Sequence, residues 1–352
     1  MSMSHRCLIS AAALAAAIAG VSTSLTPVAA QAPAMAATFT PPKSSYVPPK
    51  TPWGDPDIQG VYDYQSVIPM QRPAELAGKA TFTESELAEW TKGHMPNQDA
   101  CGYGTRANEK CTEAALKSVG AYNEFWNNRN IVKNNNTSLI VDPPDGRMPA
   151  MTPEGTKKRA DLGGLVRQGP DGPEASTYAW ADDWPTVSRC IAEQTPNGVQ
   201  MYNSGTYLQQ TPGWVLIVRE RLDTRTIPID GRPHLSKNIQ QWNGDSRGHW
   251  EGNTLVVETT NLTDKQFKGG VGSTIPGGVP MGNIHLIAHF VPTSSTRIDY
   301  YATITDNKTW VRPWTFMLPW EKDPTYTLYE YACNEGNISI GNGLRGERAQ
   351  GR

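Results

Sequence analysis

Arg297-Ile298-Asp299-Tyr300-Tyr301-Ala302-Thr303-Ile304 is the stretch that decides the fold class. Its even positions are apolar and its odd positions are mixed. Successive side chains of an extended chain point to opposite faces, so this period of two marks a half-buried antiparallel strand. Runs of the same character recur from Tyr207 onward. Trp214 to Val218 is bounded by Pro212-Gly213, and Thr254 to Thr260 follows the turn Glu251-Gly252-Asn253. Ile284 to Val291, Thr309 to Leu318 and Tyr326 to Cys333 complete the series. No helical pattern separates consecutive runs, which argues against a parallel α/β sheet. Six or more short strands predict a mainly β, antiparallel barrel or a sandwich over residues 201–345.

Residues 51–200 read as a loop- and helix-rich part packed on that barrel. Ile58 to Tyr62 is a first short strand, and Thr83-Glu84-Ser85-Glu86 is a capping box opening a helix through Trp90. Residues 112–128 carry apolar groups at helical spacing. Leu139-Ile140-Val141 is a buried-strand pattern stopped by Asp142-Pro143-Pro144. Thr152-Pro153-Glu154 opens another helix, with proline at the first helical position, where its missing N–H costs nothing. Residues 31–50 are rich in proline and alanine without periodicity and read as an extended arm.

The first 30 residues order a charge (Arg6), a short apolar run (Cys7 to Gly20) and small residues ending Val28-Ala29-Ala30. That is the order of a cleavable export signal, too short to persist as a membrane span. It predicts a periplasmic or secreted protein, and no later stretch is apolar enough to cross a bilayer. Loss of Arg6 from 32 basic residues leaves 31 against 34 acidic ones. Such a balance lacks the positive field of a nucleic-acid binder. Cys101, Cys111, Cys190 and Cys333 remain, an even number that predicts two disulfides in any of three connectivities. Pairing Cys101 with Cys111 would close a short polar loop and leave Cys190–Cys333 as a long-range staple.

Several longer stretches are distinctive: Ile227 to His234 (IPIDGRPH), Gln241 to Gly252 (QWNGDSRGHWEG), Asp57 to Val61, Leu139 to Arg147 (LIVDPPDGR) and Tyr329 to Asn337 (YEYACNEGN). Together they resemble a large family of secreted, mostly uncharacterised proteins of soil bacteria such as acidobacteria and sphingomonads. The resemblance implies a lipocalin-like fold and brings no activity with it. The chain departs from the family pattern at Asn334, where the family carries histidine, and at Ala288, where it carries glutamate.

Asp230, Arg232, His234, Asp245, Arg247, His249 and Glu251 crowd into about twenty residues of turn and strand. An imidazole beside a carboxylate can take and return a proton near neutral pH. His234 or His285 is therefore the candidate base, Asp245 its orienting partner and Arg247 an anion stabiliser. The competing reading is that Asp-Gly-Arg-Pro and Gly-Asp-Ser-Arg-Gly are turns whose side chains tie down backbone. Glu251 reads first as part of a hairpin turn. His285 and His289 would share a strand face about 13 Å apart, too far to hold one ion, so no metal is expected. His285 could point into a barrel interior. Trp310, Trp314, Tyr301 and Tyr329 could wall a cavity for a small ligand, although most aromatics of a barrel pack its core. The chain has no GxSxG, HExxH, P-loop or dinucleotide fingerprint. The expectation is an exported enzyme using cofactor-free acid–base chemistry (lyase, isomerase or hydrolase) on a small aromatic, terpenoid-like or sugar-derived molecule. The alternative is a non-catalytic carrier of a small apolar ligand.

Overall fold

A computed structural model describes residues 39–94, 131–163, 166–169, 172–175, 184, 186–192, 205–222, 224–266 and 281–349. The segment read as an export signal, the helical pattern of 112–128, and Cys101 and Cys111 lie outside those residues. The N-terminal part supplies β1 (Gly60–Asp63) and β2 (Ile140–Asp142), and β3 (Val166–Gly169) and β4 (Gly172–Ala175) form a separate two-stranded sheet. The remaining strands are β5 (Thr206–Thr211), β6 (Trp214–Arg219), β7 (Thr224–Pro228), β8 (Asp245–Glu251), β9 (Thr254–Thr260), β10 (His285–Pro292), β11 (Arg297–Thr305) and β12 (Trp314–Lys322). Their order is β7-β6-β5-β1-β12-β11-β10-β9-β8, antiparallel throughout and nearly closed into a barrel. The barrel thus draws β1 from far upstream, between β5 and β12, and is not built from residues 201–345 alone.

The period of two in β11 sorts its side chains as expected. Ile298, Tyr300, Ala302 and Ile304 join the main core, beside Trp314, Phe316, Leu318 and Trp320 of β12 and Leu286, Ala288 and Phe290 of β10. Phe290, Tyr300 and Trp320 have ring centroids 4.9–5.6 Å apart, so aromatic packing fills this part of the interior. Removing one such buried ring costs about 3–5 kcal/mol. The odd positions face outward, where Tyr301, Met317 and Val291 form a small second cluster with Phe39 and Val141 against it.

The run Tyr326 to Cys333 is not the final strand that its composition predicts. One edge of β12 is taken by β11 and the other is shared by β1 and β2, which leaves no edge for a further hairpin. The chain instead turns at Asp323, whose carboxylate accepts the Thr325 amide at 2.9 Å. β12 also begins at Trp314 and not at Thr309, directly after Pro313.

Among the described residues three α-helices lie outside the sheet: α1 (Glu84–His94), α2 (Pro153–Gly163) and α3 (Ser339–Ala349). The capping box of α1 forms as read. Thr83 N–H donates to Glu86 Oε2 at 2.8 Å, and Glu86 N–H returns to Thr83 Oγ1 at 3.3 Å. Thr152 caps α2 by accepting the Gly155 amide at 3.0 Å. A disulfide joins Cys190 to Cys333 across 143 residues.

No ladder joins β7 to β8 among the described residues. Side chains cross that gap instead. Arg225 of β7 reaches inward to Ser246 of β8 at 3.0 Å and Thr259 of β9 at 3.1 Å. Gly248 sits so close to Ile227 and Ile229 that a Cβ there would lie 2.8–3.0 Å from their methyl groups. The absent side chain lets the two edges approach.

Candidate functional site

The register of β8, β9 and β10 determines which polar groups meet. Asp245 pairs with Thr260, and Arg247 with Glu258, while Leu286 lies opposite Thr259 and Ile287 opposite Glu258. Ser246, Thr259 and Leu286 are buried on the inner side, so Asp245, Arg247, Glu258 and Thr260 belong to the outer face, as does His285. The candidate residues therefore gather outside the barrel. His285 does not enter the interior because strand alternation gives that side to Leu286.

His234 reaches the same patch from the loop after β7. Asn261 clamps that loop: its Nδ2 donates to Ser236 O at 2.8 Å and Ile239 O at 2.9 Å. Asn261 has φ of 58°, a left-handed conformation that asparagine tolerates better than most residues. Asp245 fixes the imidazole itself. Its Oδ2 lies 2.8 Å from His234 Nδ1 and accepts the Leu235 amide at 2.9 Å. Its Oδ1 accepts Arg247 Nη1 at 2.6 Å. Arg247 also donates to Ser246 O at 2.7 Å and, through Nε, to Pro233 O at 3.0 Å. These bonds give Arg247 a positioning role, holding Asp245 and the His234 loop, in place of the anion-stabilising role its sequence context suggests.

Glu258 joins the second histidine to the first. Its Oε1 is 2.5 Å from His285 Nε2, and its Oε2 is 3.5 Å from His234 Nε2. The latter is longer than a well-formed hydrogen bond. Burial opposes an imidazolium at His234, but the hydrogen bonds and charges of Glu258 and Asp245 outweigh it and hold the pKa above its ordinary value. The hydrogen-bonded histidines hold Glu258 far below the usual carboxylate range, against the opposing effect of partial burial. With Asp245 accepting Nδ1–H, a neutral His234 would turn an Nε2 lone pair toward an anionic carboxylate, so protonation is favoured. Side-chain exposures of 24% for His234, 18% for His285 and 40% for Glu258 bring the edge of the cluster to the surface, while His234 Nε2 is buried and Asp245, at 4%, is sealed beneath.

The other candidates lie elsewhere. Asp230 and Arg232 form an exposed ion pair, and the guanidinium sits 4.7 Å from the centre of the Trp214 ring. His249 and Glu251 pair at 3.1 Å near the exposed β8–β9 turn. His289 shares the outer face with His285 but is nearly buried, and burial lowers its pKa. Trp310 and Trp314 pack edge to face in the core at 2% and 0% exposure, which leaves neither free to wall an open cavity. Tyr301 packs on Phe39 outside the barrel, and Tyr329 is exposed. These four aromatics do not converge. Among the described residues, no group of three or more histidine, cysteine, aspartate or glutamate side chains is arranged to hold a metal ion.

Glu258 is the site residue that sequence reasoning missed. Within Thr254 to Thr260 it reads as one polar position of a half-buried strand, and only the register brings it to two histidines. Compared with known protein families, curated proteins and solved structures, the chain matches none.

Proposed function

We propose that this is an exported enzyme that performs cofactor-free acid–base chemistry on a small molecule at the outer face of its barrel. One observation carries the reading: His234 stands between a buried aspartate on Nδ1 and a shared glutamate facing Nε2, and that glutamate also binds His285. Asp245 sets the tautomer, so that deprotonated His234 presents Nε2 as the base. Buried His234 Nε2 lies 3.5 Å from Glu258, so a substrate C–H or O–H would reach it once the half-exposed Glu258 carboxylate swings aside. Glu258 links the two imidazoles, so a proton accepted at one can be balanced by a proton released from the other. A lyase or isomerase needs such a pair, and a hydrolase could use it to activate water.

A carrier would present an apolar hollow with polar groups confined to its mouth. What favours catalysis is that the interior-facing side chains of β10, β11 and β12 pack against one another, while the ionisable groups converge outside.

The test uses a nitrobenzisoxazole, whose ring opens when a general base removes one carbon-bound proton. The wild-type chain should open it faster than buffer, with a rate that rises through a pKa above that of free imidazole. His234→Ala should lose about a hundredfold of the protein-dependent rate, the usual worth of a positioned base. Glu258→Gln should move the rising limb to lower pH. Wild-type rates in both His234→Ala and His285→Ala at every pH would refute the reading.

A further inference from the structure

At the other end of β10 lies a cavity of about 190 Å³ between the arm at residues 46–49, the start of β1, the β10–β11 turn and the end of β12. Pro292 of its lining and His285 stand seven residues apart on β10, roughly 23 Å at about 3.3 Å per residue. The cavity is therefore separate from the histidine cluster and is argued independently of it. Its volume is far larger than the ~10–15 Å³ that one water needs.

Lys322 supplies the one cationic side chain in this lining. Its stem lies flat on Gly60, where a Cβ would meet Lys322 Cε at 3.0 Å and Cδ at 3.2 Å. Its backbone N–H donates to Thr296 O at 2.7 Å, and its ammonium sits 5.6 Å from the centre of the Tyr62 ring. The side chain is thus held at both ends, yet no carboxylate lies within ion-pair distance of Nζ among the described residues. Asp57, the acidic group of the lining, is engaged by the Gln59 amide at 3.0 Å and Gln59 Nε2 at 3.2 Å. Burial lowers the Lys322 pKa, and the charge of Asp57 only partly opposes this, as expected of a cation that lacks a close counterion. Half-buried Tyr46 and exposed Pro49 add flat and apolar surface to the lining, backed by the buried Tyr62, whose hydroxyl is already spent on Ile58 O at 2.7 Å.

We propose that this cavity binds a small organic monocarboxylate with a ring-sized body, its carboxylate on Lys322 Nζ and its ring against Tyr46 and Pro49. A single point charge with an acid nearby suits a monoanion. A phosphate dianion would be better served by a guanidinium fork, and the lining carries no arginine. The prolines and aromatic faces reward an apolar ring and would leave a bare inorganic anion poorly held.

The probe is benzoate, titrated into the full chain by calorimetry with benzamide and inorganic phosphate as comparisons. Saturable 1:1 binding of benzoate is expected, with benzamide and phosphate each weaker by about tenfold or more, the worth of a charge-assisted hydrogen bond. Lys322→Met keeps the stem and removes the charge. It should melt as the wild type does and lose about tenfold or more in benzoate affinity, while Lys322→Arg should retain most of it. Reductive methylation followed by NMR gives a second readout: benzoate should raise the pKa of the dimethylated Lys322. Absence of saturable binding, equal affinity for benzamide, or undiminished affinity in Lys322→Met would each overturn the proposal. Phosphate binding as tight as benzoate would overturn the assignment to monocarboxylates.

Discussion

Asp245→Asn puts the construction of the histidine site to a quantitative test. The carboxylate is 4% exposed and accepts three bonds, from His234 Nδ1 and the Leu235 amide on Oδ2 and from Arg247 on Oδ1. Asparagine keeps the shape but offers one acceptor oxygen and one donor nitrogen. Whichever way it turns, the amide nitrogen faces a donor: Arg247 on one side, or His234 and Leu235 on the other. Breaking a buried charged pair by removing one partner costs about 3–5 kcal/mol. Arg247 keeps its bonds to Ser246 O and Pro233 O, so the lower end, ~3 kcal/mol, is expected. For a chain of this size, whose unfolding entropy is about 2.1 cal/mol/K per residue, that corresponds to a drop in Tm of about 4–5 °C. Urea unfolding and calorimetry measure it. Arg247→Met, added to Asp245→Asn, removes the stranded cation, and the double variant should be less destabilised than the sum of the single variants by about 1 kcal/mol or more. A loss within ~0.5 kcal/mol, typical of a surface change, with additive single effects would refute the claim that Asp245 holds the His234 loop.

Two further outcomes follow from the same structure. Glu258 has a depressed pKa, so its contribution is present above the ordinary value of 4.5 and is lost as acid protonates the folded carboxylate. His234 has a raised pKa, so its contribution is complete below the ordinary 6.5 and is lost as pH rises through the folded value. The stability difference between wild type and Glu258→Gln, followed by urea unfolding across pH, should therefore be largest between 4.5 and 6.5 and shrink on both sides. A difference that does not vary with pH would contradict the coupling. Cys190–Cys333 closes a loop of 143 residues, and the chain-entropy relation assigns such a closure roughly 5 kcal/mol. Chemical unfolding of Cys190→Ser/Cys333→Ser should show most of that loss, and an unchanged midpoint would contradict it.

The barrel was legible because its strands carry their facing rule in the residue order. Ile298, Tyr300, Ala302 and Ile304 alternate strictly, and Thr254–Thr260 is a strand over the residues its β-branched run marks. The capping residues Thr83 and Thr152 were legible for a similar reason, since their partners lie within three positions. Long-range pairing was harder to read. Nothing near Tyr326 to Cys333 says that β1 and β2 already occupy the second edge of β12. The candidate site divides along the same line. His234, Asp245 and Arg247 are close in sequence and meet, with Arg247 directed at the loop instead of outward. Glu258 lies 24 residues from one histidine and 27 from the other, and its role appears only once the β8–β9–β10 register is set. Trp310 and Trp314 show the opposite error, because an aromatic supply reads alike whether it lines a hollow or fills one.

The gap between β7 and β8 bears on how this barrel would move. Each strand shields the other from capture by a neighbouring chain, as a closed barrel does, yet no backbone ladder has to melt for them to part. Arg225 acts as a latch there, and the snug approach of Ile227 and Ile229 to Gly248 acts as a gasket. Breathing should start along this line, with edge amides of β7 and β8 exchanging with solvent before those of β10 or β11, and any traffic with the interior would pass through the same slot.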